Sequence, residues 1–545
     1  MTNHVIKYLI YSIFCASAAI PAYSQLKATD PIPNDWFLRD PASDFLQGIS
    51  AEKSYKTLLK DRPSRTITVA VIDTGVDIDH EDLQGVIWTN ADEIPDNGID
   101  DDNNGYIDDV HGWNFIGGKD GNVNEDTNEF TRNYVRLKKQ FEGVDEKKIS
   151  KRDKAAYEEY LKAKEKLEKL IAKNTEQYEL YNNLYQNVSQ SVDTLKILLM
   201  TDELTQELVE SFQSREPNLL FAKGFVLNIF RNIGPENSLE EFLSELKETS
   251  DHFGQIVNYS YNENFDPRSI VGDNYNDPYE KGYGNNDVKG PDPMHGTHVA
   301  GIIAANRKNN LGINGVADNV KIMSVRAVPN GDERDKDVAN AILYAVDNGA
   351  QIINMSFGKS ISPEKEVVDK AVKYAEQKGV LLIHAAGNDS ENIDLEKNYP
   401  SRYYADGTEA KNWIEVGASS WGADSDFVGS FSNYGKKAVD LFAPGVQIYS
   451  TLPGNNYKKM DGTSAASPVT AGVAAVIMSY YPEFSATEVK EIIRNSTRKF
   501  DNLKIESVGS KGGIEFNQMS SSGGLINLYQ AILLAQELKT KKQVK

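Results

Sequence analysis

The stretch from Gly462 to Tyr480 constrains the fold more than any other part of the chain. Gly462-Thr463-Ser464-Ala465-Ala466-Ser467-Pro468 opens onto Val469 to Val476, and the whole stretch is small, apolar or hydroxylic, without one charge. A helix that is apolar all round has to be covered on every side, so it belongs inside a large core. With 545 residues, 40% of them apolar, the chain has material for such a core and for about two to four domains. A serine in the first turn of that helix meets free backbone N–H groups and the positive end of the helix dipole. Ser464 is therefore a candidate nucleophile whose intermediate carries an oxyanion, although in isolation an ordinary helix cap reads the same.

The N-terminus carries Lys7, a largely apolar run from Tyr8 to Ile20, and Ala22-Tyr23-Ser24 before Gln25. That plan predicts a secretory signal over 1–24, cut after Ser24, and the run is short for a bilayer span. Cys15, the single cysteine, lies in this segment, so the mature chain has neither a disulfide nor a thiol nucleophile. No later stretch is long and apolar enough to span a membrane, and the net charge of −21 argues against nucleic acid as a partner. The expectation is an exported acidic protein, in the periplasm or the medium. Residues 25–60 read as an extension punctuated by Pro31, Pro33 and Pro41, helical over Ser50 to Leu59, with no room for a separately folded pro-domain.

Thr66 to Ile72 is a β-branched run, the pattern of a buried parallel strand, and it ends in Asp73-Thr74-Gly75. Open α/β sheets carry their functional groups beyond the carboxyl ends of strands, where Asp73 falls. An acidic loop follows. Asp100, Asp102 and Asn104 offer oxygens, Gly105 a turn and Tyr106 a carbonyl, as in the first half of an EF-hand loop, with Asp108 and Asp109 next to them. His111 replaces the bidentate acid at the twelfth position, so the expectation is a calcium-clamped surface loop rather than an EF-hand.

From about Phe130 to about Phe253 the pattern becomes helical. Tyr160, Leu167, Tyr181, Val188 and Leu195 recur at sevens, with Ala163, Leu170, Leu184 and Leu198 three places later. Such heptads predict a long helix packed on a partner, Leu219 to Ile233 the buried return, and Ser238 with Glu241 a capping box. Residues 254–290 read as a loop leading back to the main fold. His295-Gly296-Thr297-His298 opens a small-residue helix; with no glutamate between the two histidines, zinc is not expected, and His298 reads as a hydrogen-bonded core residue. Gln351 to Gly358 and Val380 to Asn388 read as further buried strands, with helices over Val338–Asp347 and Glu364–Gln377, which implies right-handed crossovers and a parallel sheet.

Taken together, Asp73-Thr74-Gly75, His295-Gly296-Thr297-His298-Val299-Ala300-Gly301, Ala386-Gly387-Asn388 and Gly462-Thr463-Ser464-x-Ala466-x-Pro468 resemble the subtilisin-like serine peptidases, the subtilases. The resemblance covers about 61–129 and 262–535, leaving an all-α insert at 130–261 and a polar tail at 536–545. It implies an α/β fold, a parallel sheet flanked by helices, and an Asp73–His295–Ser464 triad. Asn388 would supply an oxyanion donor, and Ser356, Phe357, Gly358, Ala385, Ala386 and Gly387 would border the cleft for a protein or peptide substrate. The implied activity is that of an exported serine endopeptidase, structural calcium its only cofactor. An exopeptidase or dedicated processing protease, and an inert protease-fold scaffold, are the alternatives. Ala465 stands where the family commonly has methionine. Asp82 and Asn309 match a second calcium position of some members, against which Arg307 and Lys308 weigh. Lying between the Asp73 and His295 blocks, the insert is expected to act as a lid or docking arm.

Overall fold

The structure, a computed structural model, describes residues 32–233, 238–509 and 512–544. The expected signal at 1–24, with Cys15, lies outside the described residues. The chain divides into two compact units, one of residues 134–263 and one of residues 33–133 with 264–545.

The second unit is built on a nine-stranded sheet. Its strands are β1 (Ile67–Asp73), β2 (Gly112–Asn114), β3 (Val320–Arg326), β4 (Ile352–Met355), β5 (Leu381–Ala385), β6 (Trp413–Ser419), β7 (Leu441–Pro444), β8 (Arg498–Lys499) and β9 (Gly524–Leu525). They run in the order β8-β9-β7-β6-β5-β4-β1-β3-β2, parallel throughout except for the short edge pair β8–β9. Residues 69–72 of β1 are fully buried, because the sheet is covered on both faces; hence the continuous apolar, largely β-branched run. β3 and β4 flank β1 on opposite sides. That reversal opens a crevice beyond the carboxyl end of β1, where Asp73 sits opposite Arg326 of β3.

In the smaller unit, α2 (Lys154–Leu199) follows α1 (Glu129–Phe141) and is 46 residues long. Its first half packs aromatically: Tyr134 and Phe141 of α1 meet Tyr160, and Phe141 meets Tyr157. Its second half is covered by α3 (Pro217–Ile233) and α4 (Leu239–Gln255) around Val188, Val192, Leu195, Val226 and Leu246. The heptad seam is not continuous. Leu198 is 46% exposed whereas Val192 is buried, since a helix of 3.6 residues per turn drifts away from a strict seven-residue repeat. The capping box forms: Glu241 N–H donates to Ser238 Oγ at 3.0 Å and Ser238 N–H to the Glu241 carboxylate at 2.8 Å.

Helices α5 (Met294–Ala304), α6 (Asp335–Asp347), α7 (Lys365–Gln377), α8 (Thr463–Tyr480) and α9 (Leu528–Val544) belong to the sheet unit. Residues 536–544 of the stretch read as a polar tail continue α9. α8 crosses β4 to β7 beside α5, and every one of its residues except Ser464 is buried. Its small side chains permit the approach: a methyl on Gly472 would meet Val316 Cβ at 2.5 Å. Full burial of each of Val473, Val476 and Ile477 contributes about 1.5–3 kcal/mol.

The return segment after the insert is not a free loop. Arg268 pairs with Asp273 at 2.7 Å and with Asp337 of α6 at 2.6 Å; Lys336 pairs with Asp273 and Glu280; Arg334 joins Asp126 and Asp266. The side chains of Arg268, Lys336, Asp273 and Asp337, all buried, fasten residues 268–280 onto the first turn of α6, with the more exposed Asp266 and Glu280 at the margin. Removing one partner would strand a buried charge, which costs several kcal/mol.

Candidate active site

Three carboxyl-end positions and two helix N-termini converge on the crevice. Asp73 closes β1 and is 1% exposed. Its Oδ1 accepts from the Thr74 N–H at 2.8 Å and lies 2.7 Å from Nδ1 of His295, 222 residues away in sequence. Its main-chain oxygen accepts from Ala327 and Val328, which fixes the strand end. His295 stands in the first turn of α5, its side chain 29% exposed. Burial alone would lower its pKa, but the charge and hydrogen bond of Asp73, with Asp292 nearby, outweigh it and hold the imidazole above its ordinary value. Gly296 is obligatory beside it, since a methyl there would come 2.1 Å from the Gly75 oxygen. His298, one turn on, is buried with Nε2 against the carbonyls of Ile448 and Lys458; burial pulls its pKa down to about 4, so it is a neutral packing residue.

Ser464 is the second residue of α8, and its N–H belongs to the first turn, where no intrahelical acceptor exists. A methyl built on Gly462 would lie 2.7 Å from Ser464 Oγ and 3.6 Å from Asn388 Nδ2. Both polar atoms therefore face the same small space, which only a glycine leaves open. Asn388 is exposed, but its amide is oriented: Oδ1 accepts from both the N–H and the hydroxyl of Thr463, each at 2.9 Å, which turns Nδ2 outward. Thr463 Oγ1 in turn accepts from Gly387 N–H at 3.1 Å. Sequence reasoning quoted Thr463 without giving it this positioning part.

The residues expected to border the cleft are for the most part interior. Ser356 is buried and donates to the Ser464 carbonyl at 3.0 Å; Asn354 donates to Ser356, and Ser467 to Asn354. This polar chain braces the first turn of α8 against β4. Its one signal in the sequence was an asparagine inside the apolar run Ile352-Ile353-Asn354-Met355. Phe357 is half-buried and Gly358 exposed; Ala385 and Ala386 are buried, and Gly387 is half-exposed with its carbonyl accepting from Asn433.

The family model of the subtilase family matches residues 64–513. The chain belongs to the subtilase family. It is 45% identical over 193 residues to the thermophilic serine proteinase of Bacillus sp. strain AK1, a match spanning 34% of this chain and 44% of that protein. It is 39% identical to thermitase of Thermoactinomyces vulgaris and 38% identical to subtilisin DY of Bacillus licheniformis, over 38% and 36% of this chain and 67% of each relative. The chain thus spans about half to two thirds of the length of these curated relatives.

The acidic loop of this subtilase gathers some of its expected oxygens and not others. Carboxylate oxygens of Asp100, Asp102 and Glu93 lie within 4.8 Å of one another, and Glu93 was not singled out from sequence. The three carboxylates suit calcium by type, and protein donors also hold them: Glu93 accepts from the N–H groups of Asp101, Asp102 and Asp108, and Asp100 from those of Asn104 and Gly105. Asn104 spends its oxygen on the Tyr106 N–H and its amide on Asp102 and Asp109. The ring of Tyr106 packs on Trp113, Phe115 and Tyr344. Asp108 accepts from the N–H groups of Asn97 and Gly98, whereas Asp109 accepts from Asn90, Asn104 and the Tyr344 hydroxyl. Burial raises the Asp109 pKa to about 6. At the second position, Asp82 accepts from Asn309 at 2.7 Å and from Ile313 N–H at 3.1 Å, so protein donors already hold both oxygens.

Proposed function

We propose that this subtilase is a serine endopeptidase working through an acyl-enzyme. The observation that carries the reading is the 2.7 Å Asp73–His295 contact beside a buried helix whose one unburied residue is Ser464. Ser464 Oγ attacks the peptide carbonyl while His295 takes its proton, then returns it to the leaving amine; Asp73 holds the imidazole tautomer and stabilises the imidazolium. The oxyanion is received by the Ser464 N–H and Asn388 Nδ2, preorganised by Thr463. Gly358 and Gly387, which carry no side chain, leave room beside the cut bond for a large apolar side chain. Hydrolysis of an end-blocked, internally quenched peptide by the wild type and not by Ser464→Ala tests this. Cleavage confined to peptides with a free amine would replace it with the exopeptidase reading.

The same proposal places calcium on Glu93, Asp100 and Asp102, where the ion would brace the loop after β1 and take no part in the reaction. Export, with cleavage after Ser24, is part of it and is checked by N-terminal sequencing of secreted protein. The insert, joined to the chain between the Asp73 and His295 blocks, is proposed to limit which proteins reach Ser464. Deleting 135–255 with unchanged cleavage of large and small substrates would reject that role.

A further inference from the structure

Arg326 ends β3 beside Asp73, and it is 1% exposed. A guanidinium that deep normally faces a carboxylate. Among the described residues this one donates only to neutral oxygens: Nε to the Thr74 carbonyl at 2.7 Å, one terminal nitrogen to Asn114 Oδ1 at 3.2 Å, the other to the carbonyl of Val123. Burial pulls its pKa down to about 10, against the pull of Asp287 and Asp292. The surroundings are shaped for it. Gly290 has φ +66°, and a methyl on it would lie 2.2 Å from Arg326 Nε.

Thr74 is the residue through which this charge reaches the chemistry. Its N–H holds Asp73 Oδ1, the oxygen that His295 shares, and its hydroxyl accepts from Gly296 N–H at 3.4 Å, the residue after His295. Arg326 grips the carbonyl of the same residue. A packed hydrocarbon at position 326 would avoid the desolvation cost but leave the Thr74 carbonyl free to rotate.

We propose that Arg326 is a positioning residue of the triad, clamping Thr74 and through it the Asp73 carboxylate and the first turn of α5. The inference rests on the triad reading of the site. It is tested by kcat and KM on a blocked peptide, with thermal unfolding, for Arg326→Gln, Arg326→Lys and, as a destabilised control away from Thr74, Arg334→Gln. Arg326→Gln is expected to lose kcat by about ten- to a hundredfold, as small misplacements of catalytic groups do, with KM little changed. Arg326→Lys, keeping the charge and one donor reach, falls between it and the wild type. Arg334→Gln unfolds at lower temperature yet keeps kcat per folded molecule. Arg326→Gln at wild-type kcat, or Arg326 variants that behave like Arg334→Gln, would overturn the proposal. If Arg326→Gln does not fold, Arg326→Lys decides: a wild-type kcat refutes, a reduced kcat with unchanged KM supports. A wild type without peptidase activity would refute the endopeptidase reading instead.

Discussion

Gly462→Ala separates folding from chemistry at this site. The added methyl would sit 2.7 Å from Ser464 Oγ, and contacts below 3.4 Å are crowded, so the oxygen has to retreat by 3.4 − 2.7 = 0.7 Å. The obstacle is a rotatable hydroxyl, which yields at about 0.5–1.5 kcal/mol for an off-rotamer side chain. Backbone at φ 157°, ψ 156° adds roughly 1–3 kcal/mol for a residue with a Cβ. Stability therefore falls modestly, and a chain of this size still folds. A 1 Å misplacement of a catalytic group costs about 10²-fold in rate, about 2.7 kcal/mol of barrier, so a 0.7 Å retreat is expected to cost about ten- to a hundredfold. The methyl would also stand 3.6 Å from Asn388 Nδ2, in the space the substrate oxygen has to enter. The assay is kcat on a blocked peptide, normalised to folded protein by circular dichroism. A folded Gly462→Ala enzyme with wild-type kcat would refute the claim that Ser464 Oγ and Asn388 Nδ2 work in that space.

Asn388→Ala removes one oxyanion donor and is expected to cost about 10²–10³-fold in kcat with KM nearly unchanged, read from steady-state kinetics. Thr463→Val keeps the shape and the main-chain N–H bond to Asn388 but removes the hydroxyl's bonds to Asn388 and Gly387, giving a loss of up to about tenfold that Thr463→Ser restores in the same assay. Because Asp73 holds the His295 pKa above its ordinary value and catalysis needs the neutral ring, kcat/KM is expected to fall with acidification from above that value. Asp73→Asn moves this acid limb to lower pH, and its kcat drops roughly 10⁴-fold. A calcium chelator is expected to lower the thermal midpoint of the wild type but not of Asp100→Asn/Asp102→Asn; equal responses would remove calcium from the loop.

What was legible in the sequence is what local pattern encodes. β1 is a β-branched run because both its faces are covered, and α8 is uncharged because it is covered all round. The helices at 335–347 and 365–377 declared themselves by their apolar period. β3 and β6 were passed over because polar residues interrupt them: Lys321, Ser324 and Arg326 in one, Glu415 in the other, where its carboxylate binds His384 and the Trp413 ring N–H. Partners distant in the chain could not be read. Arg326 reaches Thr74 across 252 positions, and the Arg268–Asp337 pair that fastens the return segment spans 69. Glu93 joins Asp100 and Asp102 only once the loop is folded. A lone arginine or glutamate carries no sign of such a partner.

The central claim is that Ser464 is a nucleophile activated by Asp73 and His295. Labelling the purified protein with a fluorophosphonate, beside Ser464→Ala, tests it most directly. The account expects one equivalent of label on the wild type, mapped by peptide mass to the segment carrying Ser464, and none on the variant. A wild type that takes no label, or one labelled elsewhere and equally in Ser464→Ala, would contradict it.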